Sequence, residues 1–168
     1  FYTNKGKVYM KTAVEFPKSG RTARGSALIN FIPGLAPDER VTELLDIDAG
    51  DKDMKYLLMV TKKGYIKKTE ISEYKNINKN GLIAVRLNDG DRLVTVLAVK
   101  GDEEIIIGPR QGMAIRFSIG DDEVRTMGRA TAGVHAIRLS DDDGELDEVV
   151  GAVLATDKDI FTISADGN

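Results

Sequence analysis

At 168 residues, 42% hydrophobic and 30% charged, the chain is composed like a soluble globular protein with one sizeable core or a few small repeated units. It lacks any run of about 18 apolar residues, which excludes a membrane-spanning helix; it also lacks cysteine, which excludes disulfides and thiolate metal sites and fits a reducing compartment such as the cytoplasm. The net charge of −3 argues against a nucleic-acid binder, but it hides an alternation: residues 1–35 carry +5, 36–60 carry −4, 61–86 carry +5, 87–104 carry −3, 105–138 carry +2 and 139–168 carry −8. Units of this kind stacked side by side would set basic halves along one edge and acidic halves along another, giving a field that draws a polyanion to one side only.

The chain opens on a hairpin signal, Thr3-Asn4-Lys5-Gly6, that runs into Lys7-Val8-Tyr9-Met10-Lys11. It returns at Thr61 to Gly64 before Tyr65-Ile66-Lys67-Lys68-Thr69, at Gly108 to Gly112 before Met113-Ala114-Ile115-Arg116-Phe117, and at Ser164 to Gly167. The glycines lie 58, 48 and 55 residues apart, each at a turn position suited to positive φ. Next comes a loop rich in glycine and cations, with Lys18, Arg21 and Arg24 in the first copy, Lys75 and Lys79 in the second, and Arg125 and Arg129 in the third. Each loop leads into an alternating segment: Arg24 to Phe31, Asn80 to Leu87, Ala132 to Leu139. Their shared face, Ala27/Ile83/His135, Ile29/Val85/Ile137 and Phe31/Leu87/Leu139, is expected in the core. An acidic turn then enters an apolar strand at Asp38 to Leu45, Gly90 to Val99 and Leu146 to Leu154. A fourth strand precedes each later hairpin turn, at Tyr56 to Val60, Ile105 to Ile107 and Ile160 to Ile163. Four short strands per unit, with one helical turn over Glu70 to Tyr74, predict an all-β, propeller-like array of about three four-stranded blades. Repeats are expected over about 1–56, 57–104 and 105–159, with 160–168 starting another and the chain cut inside hairpins at both ends.

The loop cations are the candidate site, because lysine and arginine contact phosphates without reading bases. Lys67, Lys68 and Arg116, on the strands after the turns, join them as candidates, with a plain solvated strand face as the equal alternative. Arg86 and Arg138 are expected to pair with the acidic turns that follow. His135, the only histidine, lacks partners for catalysis or zinc and is expected to be partly buried and structural. The acidic runs Asp46 to Asp53 and Asp141 to Glu145 do not complete a calcium loop and are expected to be solvated turns. The tyrosines are expected to pack strands. No Walker loop, nucleophile elbow or paired-carboxylate signature occurs, so no catalytic site is expected.

The runs Gly64-Tyr65-Ile66-Lys67-Lys68-Thr69, Asn88-Asp89-Gly90-Asp91 and, above all, Val124 to Val134 with Ile137-Arg138-Leu139 resemble the C-terminal domain of DNA gyrase A and of its topoisomerase IV relative. The resemblance covers essentially the whole chain. It implies a partial β-pinwheel, part of a larger disc of about six blades, that bends duplex DNA around a basic rim. For the whole enzyme it implies a type IIA topoisomerase that introduces negative supercoils in the bacterial cytoplasm. ATP and Mg²⁺ would be bound elsewhere, and the partners would be DNA, the N-terminal part of the same polypeptide and the ATPase subunit. The family's Gln-Arg-Arg-Gly-Gly-Lys-Gly box is absent; its nearest echo is Ser19-Gly20-Arg21-Thr22-Ala23-Arg24-Gly25. The family's catalytic tyrosine lies in a different part, so no tyrosine here inherits that role. A propeller-like module docking an acidic protein partner is the alternative.

Overall fold

Three glycine-closed turns fold the chain into hairpins, with φ of 71° at Gly6, 79° at Gly64 and 86° at Gly112. The computed structural model describes residues 1–46, 53–142 and 145–163. The strands are β1 (Tyr2–Thr3), β2 (Lys7–Val8), β3 (Val41–Glu43), β4 (Tyr56–Thr61), β5 (Tyr65–Glu70), β6 (Leu82–Ile83), β7 (Leu93–Val99), β8 (Glu104–Pro109), β9 (Ile115–Ser118), β10 (Val134–His135), β11 (Asp141–Asp142), β12 (Glu145–Leu146) and β13 (Val149–Leu154). Helical structure among the described residues is limited to 3-10 turns at Ala13–Glu15, Leu28–Asn30 and Ile71–Tyr74. The fold is all-β, and the last of these turns is the one expected beside Tyr74.

The strands do not stay within their own unit. Sheet 1 runs β3-β1-β2-β6, sheet 2 runs β7-β4-β5-β10, and sheet 3 runs β13-β8-β9, with β11-β12 a separate ribbon. The outer strand of sheet 1 therefore comes from the second unit, and that of sheet 2 from the third. Both are antiparallel and in equivalent register: Lys7↔Ile83 and Val8↔Leu82 in one, Tyr65↔His135 and Ile66↔Val134 in the other. The blade of four sequence-local strands is corrected accordingly.

A recurring set of backbone bonds locks each joint. The N–H of Ala84 donates to Gly6 O at 2.8 Å, and that of Ala136 donates to Gly64 O at 2.8 Å. Leu93 N–H donates to Asn4 O at 3.1 Å and Val149 N–H to Lys62 O at 2.8 Å, tying each unit's turn to the next unit's long strand. Within a unit, Asn4, Lys62 and Arg110 donate their N–H groups to Arg40, Arg92 and Glu148 O at 2.9, 2.8 and 2.8 Å. The acidic turns take part through their side chains. Asp91 accepts from Lys63 N–H at 2.9 Å and Asp147 from Gln111 N–H at 3.2 Å, while Glu39 accepts from the hydroxyls of Thr3 and Tyr9.

Sheet 2 lies between the other two, and its composition follows from that position. In β4, Leu57 and Met59 pack with Tyr2, Val8, Tyr74, Ala84, Val85 and Val96, whereas Leu58 and Val60 pack with Ile105, Ile107, Ile119, Val124 and Ile137. A strand covered on both faces needs an unbroken apolar run rather than alternation, and Leu57 to Val60 supply one. Each such side chain contributes about 1.5–3 kcal/mol by burial, so β4 anchors the assembly.

Several expected elements differ. Residues 24–31 form no strand; Leu28–Asn30 is a 3-10 turn. A strand needs a ladder partner for its backbone groups, and no described strand pairs with this segment; instead Asn30 and Phe31 donate their N–H groups locally to Ala27 O and Leu28 O. Ile160 to Ile163 is likewise not a strand, and these residues are exposed. Within the expected core column, Val85 and Ile137 are buried and Leu87 and Leu139 pack beside them, but Ile29, Ile83 and His135 are exposed. His135 stacks on Tyr65, ring centroids 4.1 Å apart. Met113, just after the third hairpin turn, is exposed. The fourth hairpin signal and residues 47–52 of the first acidic run lie outside the described residues, as do 143–144 of the second, whose remaining residues fall in the paired strands β11 and β12.

Candidate nucleic-acid interface

The third cationic loop is the best defined. Gly133 turns it into β10 at φ 91°, so close to β5 that a Cβ would overlap Ile66 O. Only glycine combines that backbone with that approach. Upstream, Met127 N–H donates to Lys68 O at 2.8 Å, and Thr126 bridges Lys68 in parallel fashion. The loop also reaches across to the exchanged strand of the unit before it. Arg129 Nη1 donates to Ile83 O at 3.0 Å, and Arg86 N–H donates to Thr131 O at 3.0 Å. The foot of β6, with Lys79 three residues ahead of Leu82, and the Arg125–Arg129 loop thus share one edge.

Lys18, Arg21, Arg24, Lys75, Lys79 and Arg125 are exposed and Arg129 half-exposed. Among the described residues, none of these seven side chains forms an ion pair, and only Arg129 makes a side-chain hydrogen bond. They sit on loops that lead toward an exchanged strand or, in the first unit, toward its counterpart. Solvent-facing cations without carboxylate partners are what phosphate contact requires.

Lys67 and Lys68 do not belong to that surface. Each is 1% exposed. Successive residues of a strand point to opposite faces, and both faces of sheet 2 are covered, so both ammonium groups turn inward. Lys67 Nζ donates to Ala84 O at 2.6 Å and to Arg129 O. Lys68 Nζ donates to Ile119 O at 2.6 Å, pairs with Asp121 at 2.9 Å and lies 5.3 Å from the Tyr56 ring centroid. Placing them on the rim assumes that β5 has one wet face, and it has none. Arg116 occupies in sheet 3 the place of Lys68 in sheet 2. It is exposed because no described sheet covers that face, and its guanidinium is paired with Glu104. A cation already neutralised in this way is a weak phosphate contact.

Arg86 and Arg138, expected to pair with acidic turns, form no ion pair among the described residues. The carboxylate that does collect cations is Glu148. Lys62 lies at 2.5 Å, Arg110 at 3.0 Å and Arg92 at 3.7 Å, joining sheets 2 and 3. The hydrogen bond from Lys62 holds its carboxyl below the ordinary range. The capping carboxylates Glu39, Asp91 and Asp147 were legible only as part of an acidic turn. A sharper signal was available, because each stands two residues ahead of the first residue of β3, β7 or β13. No cluster of metal-ligating side chains occurs among the described residues, and no described helix is long and apolar enough to cross a membrane.

Stacked antiparallel sheets that trade outer strands, with glycine-closed hairpins facing acidic caps, define a β-pinwheel. A family model described as "DNA gyrase C-terminal domain, beta-propeller" matches residues 2–47, 55–100 and 103–155, and the chain belongs to the DNA gyrase A C-terminal domain family. The chain is 43% identical over 143 residues to the DNA gyrase A protein of Synechocystis sp., covering 85% of the chain and 16% of that protein. It is 46% identical over 134 residues to that of Clostridium acetobutylicum, covering 80% and 16%. Among solved structures, the C-terminal domain of DNA topoisomerase IV superposes with a TM-score of 0.79 at 30% identity, covering 94% of this chain and 47% of that one. A DNA gyrase A C-terminal domain superposes at 0.68 and 27% identity, covering 91% and 46%. The chain thus spans under a fifth of these curated relatives and about half of these solved domains.

Proposed function

We propose that the chain binds duplex DNA along the edge bearing Lys18, Arg21, Arg24, Lys75, Lys79, Arg125 and Arg129, and bends it as one arc of the rim of a type IIA topoisomerase subunit. The observation that carries this reading is the recurrence, among the described residues, of solvent-facing cations without carboxylate partners on loops that lead toward the exchanged strands or, in the first unit, toward their counterpart. Bending a 20–30 base-pair site costs about 1–6 kcal/mol, so several phosphate contacts must act together. In the whole enzyme the bent duplex serves ATP-driven negative supercoiling. Chemistry and nucleotide binding reside in the N-terminal part and the ATPase subunit.

Binding is expected to be independent of sequence and steeply salt-dependent. If all seven cations engage, the slope of log affinity on log salt approaches about −6. Arg125→Glu with Arg129→Glu should weaken duplex binding about 10–100-fold at low salt and flatten that slope by about 2, because two phosphate contacts are lost. Fluorescence anisotropy on a labelled 40-mer measures both. Unchanged affinity would remove this loop from the interface, and binding to an acidic polypeptide in place of DNA would favour the docking module.

A further inference from the structure

We infer that Lys67, although buried out of reach of DNA, is a positioning residue that holds the Arg125–Arg129 loop in its binding arrangement; this rests on the DNA-binding reading above. Its ammonium bridges two carbonyls from different units, Ala84 O at 2.6 Å beside the exchanged strand β6 and Arg129 O in the loop itself. No carboxylate pairs with it among the described residues. Its charge is therefore satisfied by backbone dipoles whose relative position it fixes. The same junction is closed by Arg129 Nη1 on Ile83 O and by Arg86 N–H on Thr131 O. The Tyr74 hydroxyl shares the Ala84 acceptor at 3.0 Å. A buried cation that ties a surface loop to a neighbouring sheet sets where the exposed cations of that loop stand, and a misplaced phosphate contact is a weaker one.

The charged and titratable groups facing Lys67 are Arg129 from the loop and Glu73 and Tyr74 from the 3-10 turn. Burial, then Arg129, lowers the lysine to about 8 from 10.5 in the unfolded chain, whereas burial raises Tyr74 to about 12. Between pH 8 and 10.5 this lysine holds its proton more in the unfolded chain than in the folded one, so its own contribution to stability rises with pH there. Over the same window the tether loses its charge. A fall in DNA affinity through pH 8 therefore cannot come from unfolding through this group.

The test is Lys67→Met, which keeps the packing and removes the donors. Trypsin cleavage after Arg125 and Arg129 should accelerate about 10-fold, and duplex affinity should fall about 5-fold with an unchanged salt slope, since no phosphate contact is removed. Unchanged cleavage overturns the proposal. So does faster cleavage at unchanged affinity when Arg125→Glu with Arg129→Glu still weakens binding. If that double variant itself binds like the wild type, the DNA-binding reading of the loop fails and the positioning role falls with it, whatever the cleavage shows. Should Lys67→Met not fold, the wild-type chain supplies the measurement. Affinity should drop about threefold with a midpoint near pH 8, and a flat profile from pH 7 to 9.5 overturns the role.

Discussion

Gly133→Ala is expected to destabilise the chain by about 3–5 kcal/mol and to strip β10 from β5. Two penalties coincide at this position. The backbone sits at φ 91°, a region that side chains rarely adopt, which alone costs about 1 kcal/mol. The new methyl would also meet the backbone of Ile66, a strand fixed between two sheets that cannot yield. The comparison lies within the same chain. At Gly112, φ is 86° but nothing stands within 4 Å, so alanine should cost about 1 kcal/mol; Gly128 has neither constraint, and its alanine variant should be nearly neutral. Urea unfolding of the three variants resolves the series. Equal losses at Gly133 and Gly112 would show that close approach plays no part.

Lys68→Ala should be the costliest replacement of a charged residue, at about 3 kcal/mol. It opens a cavity between sheets 2 and 3 and leaves the Ile119 and Gly101 carbonyls without their donor. Lys68→Met restores the packing and should cost about 1–2 kcal/mol. Removing the partner instead, with Asp121→Asn, should do less than either, since that side chain is 70% exposed and the lysine keeps its carbonyl acceptors. The hydrogen bond from Lys68 holds the Asp121 carboxyl below its ordinary value. A carboxylate lowered in the fold contributes stability above its unfolded pKa and loses it as the pH falls through the folded one. The acid arm of the stability profile should accordingly be shallower in both Lys68 variants than in the wild type. Thermal melts from pH 2 to 7 check this, and identical acid arms would dissociate the pair.

How much of this was legible beforehand depended on whether a feature is local or relational. The hairpin turns at Gly6, Gly64 and Gly112, the long strands β7 and β13 and the cationic loops were legible because turn chemistry and periodicity act within a few residues. The partner of a strand is a different kind of fact. Leu82-Ile83 and Val134-His135 carry the same alternation whether they join their own sheet or the one before. The glycines ahead of them, whose room for a Cβ is taken by Tyr9 and by Ile66, were the clue to the tight joint. The inward fate of Lys67 and Lys68 was hidden for a related reason. Two adjacent lysines in a strand signal water on at least one face, unless sheets cover both faces and carbonyls wait for each ammonium. Residues 24–31 show the converse: they carry the pattern of a strand but form none, because the ladder depends on a neighbour.

Outer-strand exchange also bears on load. A stiff polymer curved along this edge would pull on the Arg125–Arg129 loop, and the loop continues directly into β10, which is hydrogen-bonded to the preceding unit. Directed along β10, that force would enter as sliding between β10 and β5, resisted by their bonds together instead of unzipping them one after another. Such a scaffold can hold a springy cargo under tension without peeling apart from its margin.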